Sequence, residues 1–229
     1  MVGVWLTDVH STCFAQEWYV SYMSHDDDGG HGNSGRSWRK DGDAGTDKPG
    51  MYEVTQYLLK AQPTPEQKAA ADELVRRSWQ AAKDKGWLDY DKGIQDGFKQ
   101  FDETHYENEE FIHDGKVLDA QRPEYLMYHE TSEGKKLAGF MFLTNDQYEH
   151  GPQIGGPLTV WHYHIWEEPG CIHGSSAVKP VGADCLCPMA ELSKKSREMM
   201  HVWFVDHPDG PFATGMTLPE EVIMKLNAR

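Results

Sequence analysis

Positive charge is scarce in this chain. Against 37 Asp and Glu it carries only 22 Lys and Arg, a formal net charge of −15. Such a surface repels phosphate backbones and anionic lipid headgroups while concentrating cations, so nucleic-acid binding is not expected. Long apolar runs are missing as well: no segment approaches the roughly 18 consecutive apolar residues of a membrane-spanning helix. The opening MVGVWLTDVHSTCF has neither the basic start nor the apolar run of a secretory signal, which also fits a mature form whose signal has been removed. No G-x-S-x-G elbow, Walker A loop or dinucleotide fingerprint occurs in its expected context, and no internal repeat is found.

Cysteine is sparse too, with Cys13, Cys171, Cys185 and Cys187. An even count fits disulfides outside the cytoplasm or free thiols inside it. Cys185 and Cys187 are poor mutual partners because a bridge across one residue is strained. Cys171 with Cys187 is the preferred pair, closing a Gly-, Ser- and Pro-bearing loop between two predicted strands, and it would favour a secreted or periplasmic location. A thiolate metal site is the competing reading.

What the sequence does have is length for a sizeable core at 229 residues, together with 8 tryptophans and 12 histidines. Residues 1–23 read as a strand or an irregular docking segment. Ser24 to Gly50 is dense in Asp, Gly and Ser around Trp38, as in a long loop or disordered acidic arm. Asp41, Asp43 and Asp47 hint at a calcium loop, but the glycine and closing glutamate of an EF-hand are out of place. Tyr52 to Lys60 reads as a short helix. Thr64-Pro65-Glu66-Gln67 reads as a capping box with proline at the first helical position, opening a helix that runs to about Lys85 and stops at Gly86. Its apolar stripe runs through Ala71, Leu74, Val75, Ser78 and Ala82.

From Phe111 onward the pattern turns to strands. IHDGKV carries a hairpin-type Asp114-Gly115 turn, and EYLMYHE and KLAGFMFL flank Thr131 to Gly134 as a second hairpin. LTVWHYHIW and MMHVWFV are two more strands, and TLPEEVIMKLNA is a short closing helix with Thr217 as cap. The expected fold is α+β: an antiparallel β-sandwich or cupin-like barrel core with N-terminal helices and a short C-terminal helix. Residues 1–102 form the irregular, helix-bearing N-terminal part and residues 103–229 the β-rich core, in one compact domain.

The histidines carry the chemistry. In a strand from Leu158 to Trp166, His162, His164, Val160 and Trp166 share one side while Trp161, Tyr163 and Ile165 share the other. Two imidazoles at that spacing are able to lean onto one ion, although in a histidine-rich chain the pair alone says little. His201 adds weight, because it falls inside the apolar strand MMHVWFV, where a buried imidazole needs its nitrogens satisfied. Met127, Met141, Met199 and Met200 read as core filler, although thioether ligands would point to Cu(I). Trp161, Tyr163, Trp166 and Trp203 serve either the core or a pocket for a small molecule or carbohydrate. His207 reads as a turn residue or as a residue at the mouth of the same cavity, and His113, His129, His150 and His173 receive no role.

The run Gly156, five residues, His162-x-His164, three residues, Glu168 resembles the first cupin motif, in which two histidines and a glutamate bind metal inside a barrel; His201 would then stand for the histidine of the second motif. The second motif's glycine, proline and asparagine are not at their usual positions. A longer resemblance spans about Gly93 to Ala213. GIQDGFKQFDETHYEN, LDAQRPEYLMY, GPQIGGPLTVWHYH and MMHVWFVDHPDGPFA look like successive signatures of a family of uncharacterised bacterial proteins. That family's pattern is D-G-x-x-x-x-E-H-Y, W-H-x-H, a cysteine-bearing loop, M-x-H-V-W and G-P-F-A. The resemblance places His105, His162, His164 and His201 on recurring histidines and makes His105 the fourth ligand or a donor behind the ligands, with Glu168 as the alternative. Thr104 between Glu103 and His105, and Asp209 in place of a cysteine, depart from the pattern.

These readings together anticipate one transition-metal ion (copper, iron or zinc) held by His162, His164, His201 and His105. Imidazole ligands suit these metals, or nickel, and argue against magnesium or calcium. The expected activity is a metal-dependent oxidoreductase. Zinc-dependent hydrolysis with Glu168 or Glu103 as general base, a non-catalytic metal carrier or sensor closed by Cys171 or Met200, and a ligand-binding module whose histidines only hydrogen-bond are the alternatives.

Overall fold

The structure, a computed structural model, describes residues 39–40, 49–54, 62–174, 176–178, 187 and 191–227. The calcium-like aspartates, Cys13, Cys185 and residues 1–23 lie outside these. In chain order the elements are β1 (Arg39–Lys40), β2 (Gly50–Glu53), α1 (Pro65–Lys85), α2 (Tyr90–Gln95), β3 (Lys99–Gln100), β4 (His105–Glu107), α3 (Glu109–Ile112), β5 (Tyr125–Thr131), β6 (Gly134–Leu143), β7 (His162–His173), β8 (Ser176–Val178), β9 (Glu191–Lys195), β10 (Met199–Trp203) and α4 (Glu220–Asn227).

Among the described residues the strands form one sheet in the order β1-β2-β7-β10-β6-β5-β4-β3, with β8 and β9 also pairing to β7. Apart from the parallel β1–β2 pair, every pairing is antiparallel. The α+β class is thus present. Among the described residues the path does not close into a barrel. Past an irregularity between Ile165 and Gly170, β7 pairs with β9 and then β8, and the path ends in the two-residue strands β1 and β3.

Side-chain alternation splits the interior into two layers. One face carries Tyr52, Tyr106, Leu126, Tyr128, Phe140, Phe142, Tyr163, Met200 and Val202, packed against Ala71, Leu74, Ala81 and Ala82 of α1. The other carries Tyr125, Met127, Met141, Met199 and Trp203, covered by Ile112 of α3 and by Val222 and Leu226 of α4. Helix α1 follows its sequence signals: Thr64 and Gln67 form the reciprocal capping box, and Gly86 ends the helix in the left-handed region at φ 77°.

Three local expectations are corrected. Tyr52 and Glu53 belong to a strand instead of a helix, because β2 pairs with β7 along its length and the Tyr52 ring stacks on Tyr163 at 5.5 Å; residues 55–61 lie outside the described set. Asp114-Gly115 does not turn a hairpin. Asn108 caps the short helix α3 just before it, and the Asp114 carboxylate is occupied by the Lys116 amide and the Arg122 guanidinium. Gly156–Leu158 is a 3-10 turn, so the histidine strand begins at His162 and extends to His173. The pairing of β2 with β7 also joins the N-terminal part to the β-rich core in one sheet.

Cys171 and Cys187 form the expected disulfide, 16 residues apart in sequence. Loop-closure entropy for a ring of this size is worth about 3 kcal/mol. Replacing both residues with serine is therefore expected to lower the unfolding free energy by that order in urea titrations. An unchanged midpoint would show that the bridge does not constrain the unfolded chain.

Candidate metal centre

Strand register brings the four proposed ligands onto one face. Registered partners in an antiparallel pair share a face. His201 faces Met141 across β10–β6, Met141 faces Tyr125 across β6–β5, and His105 faces Met127 across β4–β5. His162 faces Met199 on one side and Glu53 on the other, and His164 faces Met51. All four histidines are buried, at 5%, 1%, 5% and 2% exposure for His105, His162, His164 and His201.

The rings form a contiguous row. Centroids are 5.7 Å apart for His162–His164, 5.0 Å for His162–His201 and 5.7 Å for His105–His201. Imidazoles bound to a common ion at 2.0–2.1 Å per bond would have centroids about 5 Å apart in a tetrahedral arrangement. Adjacent rings of the row thus stand at about the spacing of two ligands on one ion; among the described residues, the group whose potential ligand atoms all lie within 4.8 Å of one another is a different one, Glu107, Glu109 and His173.

Two of the imidazoles have their tautomer set by an acceptor. His105 donates its Nδ1–H to Asp102 Oδ2 at 2.9 Å, and the other oxygen of Asp102 accepts the amides of Thr104 and His105. Burial pushes the Asp102 carboxyl upward, but the His105 imidazole and these two amides outweigh it and hold the group well below the usual carboxylate range. His201 donates its Nδ1–H to the Ala213 carbonyl at 3.1 Å, which also accepts the Trp203 indole N–H at 2.9 Å. Carboxylate and carbonyl oxygens only accept, so Nδ1 carries the proton in both rings, and in the neutral form of either ring the lone pair sits on Nε2. The His105 Nε2 is buried with no hydrogen-bond partner. A second nitrogen tied to a carboxylate or carbonyl is the usual support of a metal-binding imidazole.

Several neighbours escaped the sequence reading. Asp102 orients His105 from three residues upstream, a local turn signal present in the sequence. Glu53 stands beside His162 and accepts from the Thr214 hydroxyl at 3.2 Å; only the β2–β7 pairing reveals it. His129, half-buried, lies 6.0 Å from the Trp203 ring, and its Nε2 has no hydrogen-bond partner. Burial, aided by His105 and His207, pushes that imidazole down to about 4. His207 is buried beside Trp203 with ring centroids 5.1 Å apart, and its Nδ1 accepts the Asp209 amide.

The proposed bases sit elsewhere: Glu168, within β7, and Glu103, in the turn before β4, are both exposed. Of the aromatic residues, Trp161 and Tyr163 pack into the α1-side core, Trp166 lies 6.2 Å from the His164 ring, and Trp203 stands between His201 and His207. Trp203 and His207 also line a cleft of about 930 Å³ beside α1, with Trp79, Leu88, Phe204 and Pro211.

A second convergent group occupies the same face at its far end. Glu107, Glu109 and His173 each place a potential ligand atom within 4.8 Å of the others. His173 Nε2 is 2.9 Å from Glu109 and Nδ1 is 3.5 Å from Glu107, which also accepts the Tyr125 hydroxyl. The β7–β8 turn is seated there because Gly174, at φ +56°, has no side chain to strike that hydroxyl; a Cβ would lie 1.7 Å from it. No family model matches this chain, and no curated protein or solved structure matches it.

The hydrogen bond to Glu107 raises the His173 pKa more than burial lowers it, with the charge of both glutamates adding to the rise. A group raised on folding contributes fully below the ordinary imidazole pKa of about 6.5 and loses that contribution as pH climbs through the folded value. The difference in denaturation midpoint between wild type and His173→Gln should therefore be largest near pH 5.5 and shrink toward pH 9. A difference that grows with pH would contradict the ion-paired assignment.

Proposed function

We propose that the histidine face holds one transition-metal ion, with His162, His164 and His201 as ligands and His105 as the fourth. The chain would then act as a metal-dependent oxidoreductase on a small molecule. The observation that carries this reading is the paired anchoring of His105 through Asp102 and of His201 through Ala213, which directs the basic nitrogen of each ring within one buried face. Neutral imidazoles suit copper, iron or zinc and not magnesium or calcium. When His162, His164 and His201 alone bind and His105 stands behind them as a donor, a position stays open for water or substrate; the cleft lined by Trp203 and His207 adjoins His201 through the Trp203 ring. The surplus of acidic residues favours cation capture, and the disulfide supports a compartment outside the cytoplasm.

Two observations bear on the alternatives. A carrier closed by Cys171 or Met200 is disfavoured, because Cys171 is spent in the disulfide and Met200 packs on the opposite face. Zinc-dependent hydrolysis retains a carboxylate, but it is Glu53 beside His162 instead of the exposed Glu168 or Glu103.

Elemental analysis of the purified full chain tests the proposal. Wild type should carry one ion per chain, and His162→Ala and His201→Ala should both lose it. Metal content unchanged in both variants, or absent from wild type after reconstitution, would overturn the site. Asp102→Asn keeps the shape of the turn but weakens the support of His105. It should reduce metal affinity by about 10- to 100-fold, as read by competitive titration with a chromophoric chelator, and it should also lower the thermal midpoint of the metal-free protein, because a carboxylate held below its ordinary range on folding contributes to stability.

A further inference from the structure

Each of the four histidines has a methionine directly across from it in the sheet. Met199 is registered with His162, Met51 with His164, Met141 with His201 and Met127 with His105. The chain has 10 methionines among 229 residues, so these pairings use four of them on one patch. All four side chains are buried, between 0% and 9% exposed.

Core filling alone does not account for this. Methionine does fill irregular gaps, but strands ordinarily favour β-branched and aromatic residues. The opposite face of the same strands shows that preference: Tyr52, Tyr163, Leu126, Phe140, Phe142 and Val202, with Met200 as the one methionine among them. Methionine is thus concentrated where imidazoles are. Directly opposed residues have Cβ atoms about 4.5–5.5 Å apart, which leaves a flexible thioether within reach of an ion bound to its neighbour. Met199 is the best placed of the four. It faces His162 and lies two residues from His201 on the same strand, so it adjoins both members of the closest ring pair at 5.0 Å.

We infer that the ion at the histidine face is copper, and that a methionine thioether, foremost that of Met199, helps to hold it. Soft thioether sulfur selects Cu(I), whereas imidazole nitrogen accepts both copper oxidation states, zinc and iron. A mixed imidazole and thioether set separates copper from the other candidates. This inference rests on the reading that the histidines bind a metal, and its test distinguishes the two.

The full chain, stripped of metal, is titrated anaerobically with Cu(I) against a chromophoric chelator and separately with Zn²⁺. Met199→Leu and the variant with leucine at all four methionine positions are treated alike; leucine is near in volume and tolerated in cores. The expected result is a loss of Cu(I) affinity of about tenfold or more in Met199→Leu, larger in the fourfold variant. Zn²⁺ affinity should stay within about twofold of wild type, which also shows that the site remains folded. X-ray absorption on the Cu(I) form should show a sulfur neighbour that disappears in the fourfold variant. Unchanged Cu(I) affinity and an unchanged sulfur neighbour in that variant would overturn the thioether assignment. A wild type that takes zinc or iron but not copper would overturn the copper assignment while leaving the histidine site standing. A wild type that takes no metal would overturn both.

Discussion

Burying an imidazole is costly unless its polar nitrogens find partners, and the centre of this protein is organised around one anchored nitrogen in each of two rings. For His201 the answer is the Ala213 carbonyl, which also receives the Trp203 indole. The next residue, Thr214, donates to Glu53. One short backbone segment therefore ties β10 to β2 across the strand that carries His162 and His164. For His105 the answer is Asp102, itself fixed by two amides of the same turn. These anchors decide which nitrogen of each ring is basic, and the chemistry available to the face follows from them.

The face itself depends on residues that never touch it. Strand side chains alternate with a period of two, so a slip of one residue would turn His162 and His164 (in β7) or His201 (in β10) toward the opposite layer. The aromatic packing on that layer opposes such a slip. Tyr163 stacks on Tyr52, Phe140 packs edge-on against Trp87 and Phe204, and α1 covers the whole with a small-residue stripe that admits close approach. Substitutions in this second core should therefore disturb the histidine row without contacting it. The Cys171–Cys187 bridge and the His173 ion pairs hold the far end of β7 over the same face.

Much of this arrangement is legible in the sequence because it is local. The Thr64–Gln67 box and Gly86 mark α1, the alternation of Trp161, His162, Tyr163 and His164 sorts the two faces, and the β5–β6 hairpin announces itself by its turn. What the sequence hides is set by pairings between distant segments. Tyr52 and Glu53 read as helix until β7 supplies a strand to pair with, and Glu53 then stands beside His162. His129, near the end of a predicted strand, receives no role from the sequence, but β5 continues past its irregularity at Met127–Tyr128 and places the imidazole beside Trp203. The methionine partners are invisible to any one strand, since each pairing joins two. Glu168 and Glu103 look like bases by proximity in sequence, yet the fold leaves both in solvent.

The central claim is that the folded chain itself presets the basic nitrogen of its buried imidazoles. Long-range proton–nitrogen NMR on the metal-free protein reads this directly. The account predicts that Nδ1 carries a proton in both His105 and His201, and that saturating metal shifts the Nε2 resonances alone. A proton on Nε2 instead of Nδ1 in either residue, or rapid tautomer averaging in both, would contradict it.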